Sequence, residues 1–130
     1  MAKIERFEDL EVWRLARLLA SKIYRLTNGP TFARDFGLRD QIRRAAVSIV
    51  SNIAEGFGRK SSFQFLHFLE IASGSAAEVE AQLYIALDLG YISQAQFDEA
   101  LTEANRVGQM LTKFMQYLRK KPNRPSRAED

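Results

Sequence analysis

Apolar residues recur at three- and four-residue steps in four long segments of the chain, which is the period of one helix face. The segments cover about residues 9–27, 37–57, 62–89 and 94–119. No segment has the strict alternation, bounded by turn signals, that is typical of a strand. The predicted apolar faces are Leu10, Trp13, Ala16, Ala20, Ile23 and Leu26; Leu38, Ile42, Ala45, Ala46, Ile49 and Ile53; Phe65, Leu69, Ala72, Ala76, Val79, Leu83 and Leu87; and Phe97, Leu101, Ala104, Val107, Leu111, Phe114 and Leu118.

Local signals mark where these helices begin and end. The run TNGP at 27–30 stops the first helix, since glycine tolerates a left-handed cap and proline cannot continue a helix. Ser61 with Gln64, and Ser93 with Gln96, fit the capping-box pattern at two helix starts.

The pattern as a whole predicts an all-α fold, an antiparallel up-down four-helix bundle, because short connections make neighbouring helices antiparallel. We expect residues 1–121 to form this single domain. Pro122 and Pro125 lie in a basic segment, so residues 122–130 are predicted to be a flexible basic C-terminal tail. Small residues at 73–77 in the third helix predict close helix packing.

Composition removes several kinds of chemistry. The 130 residues include no cysteine and one histidine, which excludes thiolate chemistry and a multi-histidine metal site within one chain. No catalytic constellation is visible, so we expect a non-enzyme without cofactor or metal. The N-terminus has no signal-peptide core and no apolar run approaches the ~20 residues that span a bilayer, so the expectation is a cytoplasmic protein with no membrane contact.

Charge is segregated along the chain although the net charge is only +3. Residues 14–60 hold ten cations and three acids, residues 61–105 hold seven acids and no cation, and residues 106–127 hold seven cations and no acid. Arginine forks suit phosphate contacts. The candidate nucleic-acid-binding residues are therefore Arg14, Arg17, Arg39, Arg43, Arg44, Arg59, Lys60, Lys120 and Lys121. A solvated face with helical ion pairs such as Asp40–Arg44 is the alternative.

A second, less charged stripe lies along the second helix. Ser48, Asn52 and Glu55 follow one another at steps of four and three, beside the apolar face. Uncharged polar groups in mid-stripe indicate a surface that faces another protein or a narrow water-filled channel, and on the first interpretation these three residues are candidates for an oligomer interface. The turn at 56–62, with two glycines before a helix start, lacks the full P-loop spacing. Whether it holds an anion stays open.

Three segments carry a family resemblance: SIVSNIAEGFGR, DLEVWRLA and FLEIASGSAAEVEAQL. They resemble the small four-helix bundle family named for intervening sequences of bacterial 23S rRNA genes, over about residues 6–119. This family is similar to accessory proteins of diversity-generating retroelements. One departure is Val50, where the family often has a proline inside the second helix, so the kink that proline imposes is not expected here.

The resemblance implies a homo-oligomer, typically a five-fold ring, rather than a chemistry. Its retroelement relatives further imply a basic surface that engages RNA or DNA and a reverse-transcriptase-like protein partner. Two hypotheses follow for this chain. It is a nucleic-acid-binding accessory factor that uses its first two helices and tail, or a structural protein-interaction scaffold with no nucleic-acid role.

Overall fold

The computed structural model describes residues 4–120. They form four long helices: α1 (Glu11–Thr27), α2 (Phe36–Phe57), α3 (Ser62–Asp88) and α4 (Gln94–Lys120). Short 3-10 turns lie at Phe7–Asp9, before α1, and at Phe32–Arg34, between α1 and α2. The predicted helices agree with these bounds to within two residues, and no strand occurs in the described part of the chain.

Contacts between neighbouring helices show the antiparallel order. Across α2 and α3, Gln82 donates to Gln41 at 3.2 Å and Ser75 donates to Ser48 at 2.8 Å, so residue numbers rise on one helix as they fall on the other. Ring contacts between α3 and α4 and the ion pairs between α1 and α4 follow the same rule. Each helix packs against two neighbours, and the fold is an up-down four-helix bundle.

The core follows the predicted apolar faces closely. Every predicted position is buried or packed against the buried cluster, and Ile42, Ile49 and Ile53 on α2 have no exposed surface. Phe32 was not predicted to be in the core, yet it is fully buried although it lies in the α1–α2 connection. Its ring lies 5.2 Å from that of Tyr91, so the two connections at this end of the bundle pack against each other.

The helix ends are capped by side chains, with one correction to the prediction. The Ser93 pair forms the full capping box with Gln96, at 3.1 and 2.9 Å. At α3 the Gln64 N–H donates to Ser61 Oγ at 3.2 Å, but the Gln64 side chain accepts from the Lys60 N–H instead of from Ser61. The predicted reciprocal bond is therefore absent at this end.

Two glycines depart from their predicted roles. Gly56 was placed in the predicted turn at 56–62, but it is buried inside α2, where an added Cβ would lie 2.7 Å from Phe68 Cβ and 2.9 Å from Phe65 Cδ1. It therefore sets the close approach of α2 and α3. Gly74, in the small-residue run of α3, has nothing within 4 Å of an added Cβ. In the described part only Gly90 has a positive φ, 74°, and it follows the end of α3.

Candidate nucleic-acid interface

A groove runs between α1 and α2 on the outside of the bundle. It consists of two adjoining depressions of about 460 and 380 Å³ that share Tyr24 and Val47. The first is largely apolar, since Ala20 and Val50 line it together with the two shared residues. Arg17 also lines it. The second is lined by Asp40, Arg43 and Arg44. Three of the predicted basic residues therefore meet around one groove.

Arg43 is held in place by neutral groups at the end of α1. Its Nε donates to Thr27 Oγ1 at 2.7 Å and its Nη2 donates to Asn28 Oδ1 at 2.9 Å. Its guanidinium lies over the ring of Tyr24, 4.6 Å from the ring centroid. These contacts fix the orientation of the guanidinium without neutralising its charge, as a preformed anion contact requires.

The other groove arginines also keep their charge. Within residues 4–120, no carboxylate lies within ion-pair distance of Arg17, Arg43 or Arg44. The alternative pairing expected from the sequence, Asp40 with Arg44, does not form. Asp40 pairs instead with Arg39, at 2.9 Å.

Arg39 and Arg14 lie outside this groove. The Arg39 guanidinium contacts Asp40, donates to the Ala33 carbonyl at 3.1 Å and stacks over Phe36. Arg14 donates from Nε to the Glu8 carbonyl at 2.8 Å. Both side chains support the local fold, and Arg39 has its charge compensated.

The remaining predicted cations lie at the opposite end of α2. Arg59 pairs with Glu55 at 3.1 Å and covers the ring of Phe68. Lys60 is exposed in the following turn, and Lys120 is exposed at the end of α4. About 20 Å of helix separates Arg44 from the end of α2 at Phe57. Lys121 and the predicted tail, residues 122–130, lie outside the described residues.

The three predicted oligomer-interface residues make contacts within the chain. Ser48 accepts from Ser75, and Asn52 Nδ2 donates to the Ser48 carbonyl and hydroxyl at 2.8 and 3.0 Å. Glu55 is exposed and pairs with Arg59. The uncharged polar groups in mid-stripe therefore have a role between α2 and α3, and their part in an oligomer stays a prediction.

An exposed, discontinuous apolar stripe on α3 was missed in the sequence apart from Phe63, an aromatic residue whose position favours either the core or a subunit interface. It consists of Phe63, Ile71, Ile85 and Leu89, which are between 40 and 75% exposed. His67, Gly74 and Glu78 occupy the exposed helical positions between them. The signal was present, since the four apolar residues make α3 apolar outside its core face as well as on it. A helix with that pattern is normally covered on both sides.

A further cavity of about 500 Å³ lies between α3 and α4. Glu80, Gly108 and Lys113 are among the residues that line it. Burial raises the pKa of the Glu80 carboxyl, which has no hydrogen-bond or ion-pair partner within residues 4–120. Because a carboxylate lines it, this cavity is a poorer match for phosphate than the groove between α1 and α2.

Two other ionisable clusters stabilise the bundle. The Leu38 N–H and the Tyr91 hydroxyl both donate to Asp35 and lower the pKa of its carboxyl, which caps α2. The hydrogen bond from Lys22 to Glu99, with Glu103 at 3.0 Å, raises the pKa of the Lys22 ammonium. Both clusters connect separate parts of the chain.

Within the described residues, no group of three or more His, Cys, Asp or Glu side chains is arranged to hold a metal ion. None of the helices in residues 4–120 has both the length and the apolar character needed to cross a membrane.

The comparisons with known proteins agree with this fold. The family model described as 23S rRNA-intervening sequence protein matches residues 8–113. The chain belongs to this family. The predicted resemblance is therefore confirmed over α1–α3 and most of α4. No curated protein gave a significant match.

A solved structure extends the comparison to three dimensions. The chain is similar to a protein of unknown function from the S23 ribosomal protein family of Bacteroides thetaiotaomicron, with a TM-score of 0.75 and 24% identity over 80% of this chain and 97% of that one. At this identity the likeness shows a shared fold. In this member of the 23S rRNA-intervening sequence protein family, α2 continues unbroken through Val50.

Proposed function

We propose that this protein is a non-enzymatic, homo-oligomeric four-helix bundle that binds RNA or DNA as an accessory factor. The observation that carries the proposal is the groove between α1 and α2, where Arg17, Arg43 and Arg44 keep uncompensated charge. Oriented arginines of this kind position phosphates without reading sequence. The exposed cations at the other end, Lys60 and Lys120, add to the attraction that a polyanion experiences.

Salt dependence tests nucleic-acid binding directly. We expect the wild type to bind labelled RNA or DNA at ~50 mM salt and to lose affinity steeply as salt rises. The Arg44→Gln variant keeps every side-chain hydrogen bond found within residues 4–120, and it should reduce the slope of log K against log salt by about one. Arg106→Gln removes the same charge from α4, outside the groove lining, where Arg106 pairs with Glu11 at 3.8 Å, and should leave the slope nearly unchanged. Equal effects of the two variants would remove the groove from the proposal.

The exposed stripe on α3 supports assembly with further copies of the chain. Four large apolar side chains lie on it, and α3 carries no lysine or arginine. A second copy is the proposed occupant because every copy carries exposed cations outside the groove, Arg25 on α1 and Arg34 before α2, that can complement the acids of α3. The family resemblance favours five copies.

Light scattering tests the assembly. The wild type should have a mass several times that of one chain, and Ile71→Lys with Ile85→Lys should reduce it, since two charges would then be buried in the contact. Gln109→Lys with Gln116→Lys adds the same two charges at exposed positions of α4 and should leave the mass unchanged. Asn52→Leu tests the predicted α2 interface separately, and an unchanged mass would remove Asn52 from it. A wild-type monomer at micromolar concentration would contradict the oligomer altogether.

A scaffold with no nucleic-acid role is the second candidate, and the α3 stripe is the observation in its favour. It predicts oligomers but no retention of RNA or DNA at ~50 mM salt. The resemblance adds a reverse-transcriptase-like protein to the proposed partners. Purification of the protein from its native host with bound RNA, DNA and protein would identify which of these partners is present.

A further inference from the structure

The groove between α1 and α2 has features that phosphate binding alone does not require. An electrostatic contact to a duplex backbone needs exposed cations, whereas this groove also has an apolar pocket walled by Ala20, Val47 and Val50. The apolar pocket and the arginine-lined pocket adjoin each other and share the Tyr24 ring. The two volumes, about 460 and 380 Å³, are within the range of small-ligand pockets.

Tyr24 and Arg43 form an exposed stacked pair inside this groove. Tyr24 is 42% exposed, and the Arg43 guanidinium lies 4.6 Å from the centroid of its ring. The two hydrogen bonds from Arg43 to Thr27 and Asn28 keep the guanidinium plane in place. Aromatic rings and arginine planes are the surfaces on which unstacked bases stack in single-strand recognition.

From this combination we infer that the ligand of the groove is a single-stranded nucleic acid, with one base in the apolar pocket against Tyr24 and adjacent phosphates on Arg17 and Arg44. A duplex keeps its bases stacked inside the helix, so it would contact the arginines and leave the apolar pocket unfilled. Asp40 also faces this groove, and its charge is offset by Arg39 at 2.9 Å. This inference rests on the proposed function, since it specifies which nucleic acid the site takes.

Fluorescence anisotropy with the full-length protein tests the inference. The probes are labelled oligouridine and oligothymidine, which distinguish RNA from DNA, and a duplex of the same length. The wild type should bind at least one single strand more tightly than the duplex. Tyr24→Leu keeps an apolar side chain and loses the stacking surface, so its Kd for that single strand should rise about 10-fold while its Kd for the duplex stays constant. Tyr24→Phe should bind like the wild type, and Tyr117→Leu, which replaces an exposed tyrosine on α4, is the control.

The outcomes separate this inference from the function beneath it. Equal affinity for single strand and duplex, or an unchanged Kd in Tyr24→Leu, overturns the single-strand inference and leaves nucleic-acid binding in place. No binding of any of the three probes overturns the proposed function itself. If the Tyr24→Leu variant loses its helical circular dichroism, crosslinking of a 4-thiouridine oligonucleotide to the wild type replaces the affinity measurement on that variant. Adducts on the α1 peptide that contains Tyr24 support the inference, and adducts confined to the Arg59–Lys60 turn overturn it.

Discussion

The substitution Gly56→Ala tests the closest contact between α2 and α3. A methyl group added at Gly56 would lie 2.7 Å from Phe68 Cβ and 2.9 Å from Phe65 Cδ1, where carbon atoms normally stay 3.5–4.0 Å apart. Phe68 Cβ is attached directly to the α3 backbone, so no side-chain rotation moves it away. The helices must therefore separate locally by about 1 Å to accept the methyl group.

The expected cost follows from two opposing effects. Overpacking of this kind costs about 1–3 kcal/mol, and replacement of a helical glycine by alanine returns about 0.5–1 kcal/mol. We therefore expect Gly56→Ala to lower the free energy of unfolding by about 1–2 kcal/mol. For a chain of this length, that lowers Tm by roughly 3–8 °C.

Thermal unfolding followed by circular dichroism at the helical band measures this shift, with Gly108→Ala as the matched control. Gly108 lies inside α4 and has nothing within 4 Å of an added Cβ, so the same substitution should stabilise the bundle by about 0.5–1 kcal/mol. The two variants should thus shift Tm in opposite directions. A Gly56→Ala variant that is as stable as Gly108→Ala would refute the close approach of the helices.

Three further substitutions test the ionisable contacts. Asp35→Ala removes the cap of α2 and the acceptor of the Tyr91 hydroxyl, and should lower Tm by roughly 2–5 °C at pH 7. Because the Asp35 pKa lies below its ordinary 3.8, the difference in Tm between variant and wild type should shrink as the pH falls below that value. A Tm difference that is independent of pH would contradict the assignment. Glu80→Gln should raise Tm by about 1–3 °C at pH 7, because burial raises the Glu80 pKa and penalises its charged form. The increase in Tm should vanish below about pH 4, where Glu80 is protonated in both the folded and the unfolded protein. Lys22→Ala should lower Tm by roughly 1–3 °C through loss of its contacts with two α4 carboxylates, and 1 M salt should reduce that loss.

Helix positions were predictable because the periodic apolar pattern determines them. Ile42, Ile49 and Ile53 recur at helical steps and all three are fully buried. The buried Phe32 was not predictable in this way, since the α1–α2 connection has no period from which burial can be inferred. Its packing against Tyr91 depends on which connections meet at one end of the bundle, and that is a property of the assembled fold.

The candidate site was predictable in its residue types and not in its geometry. Segregated charge pointed to Arg17, Arg43 and Arg44, but helical spacing alone favoured Asp40 as the ion-pair partner of Arg44. In the folded chain Asp40 forms its ion pair with Arg39 instead, and Tyr24 of α1 lies beside Arg43 of α2. Contacts between residues far apart in sequence decide which charges stay available.

The hydrogen bonds of Arg43 to Thr27 and Asn28 have a consequence for how sequence change in this protein is interpreted. The Arg43 guanidinium also bonds the final turn of α1 and interacts favourably with the negative end of that helix dipole. A substitution of Arg43 therefore removes a contact that stabilises the fold as well as one that is proposed to bind a ligand. If the groove binds as proposed, we expect loss of Arg43 to reduce the yield of folded protein and binding together, and loss of Arg44 to reduce binding alone. In a mutational scan that records abundance and binding in parallel, these adjacent arginines should fall into different classes.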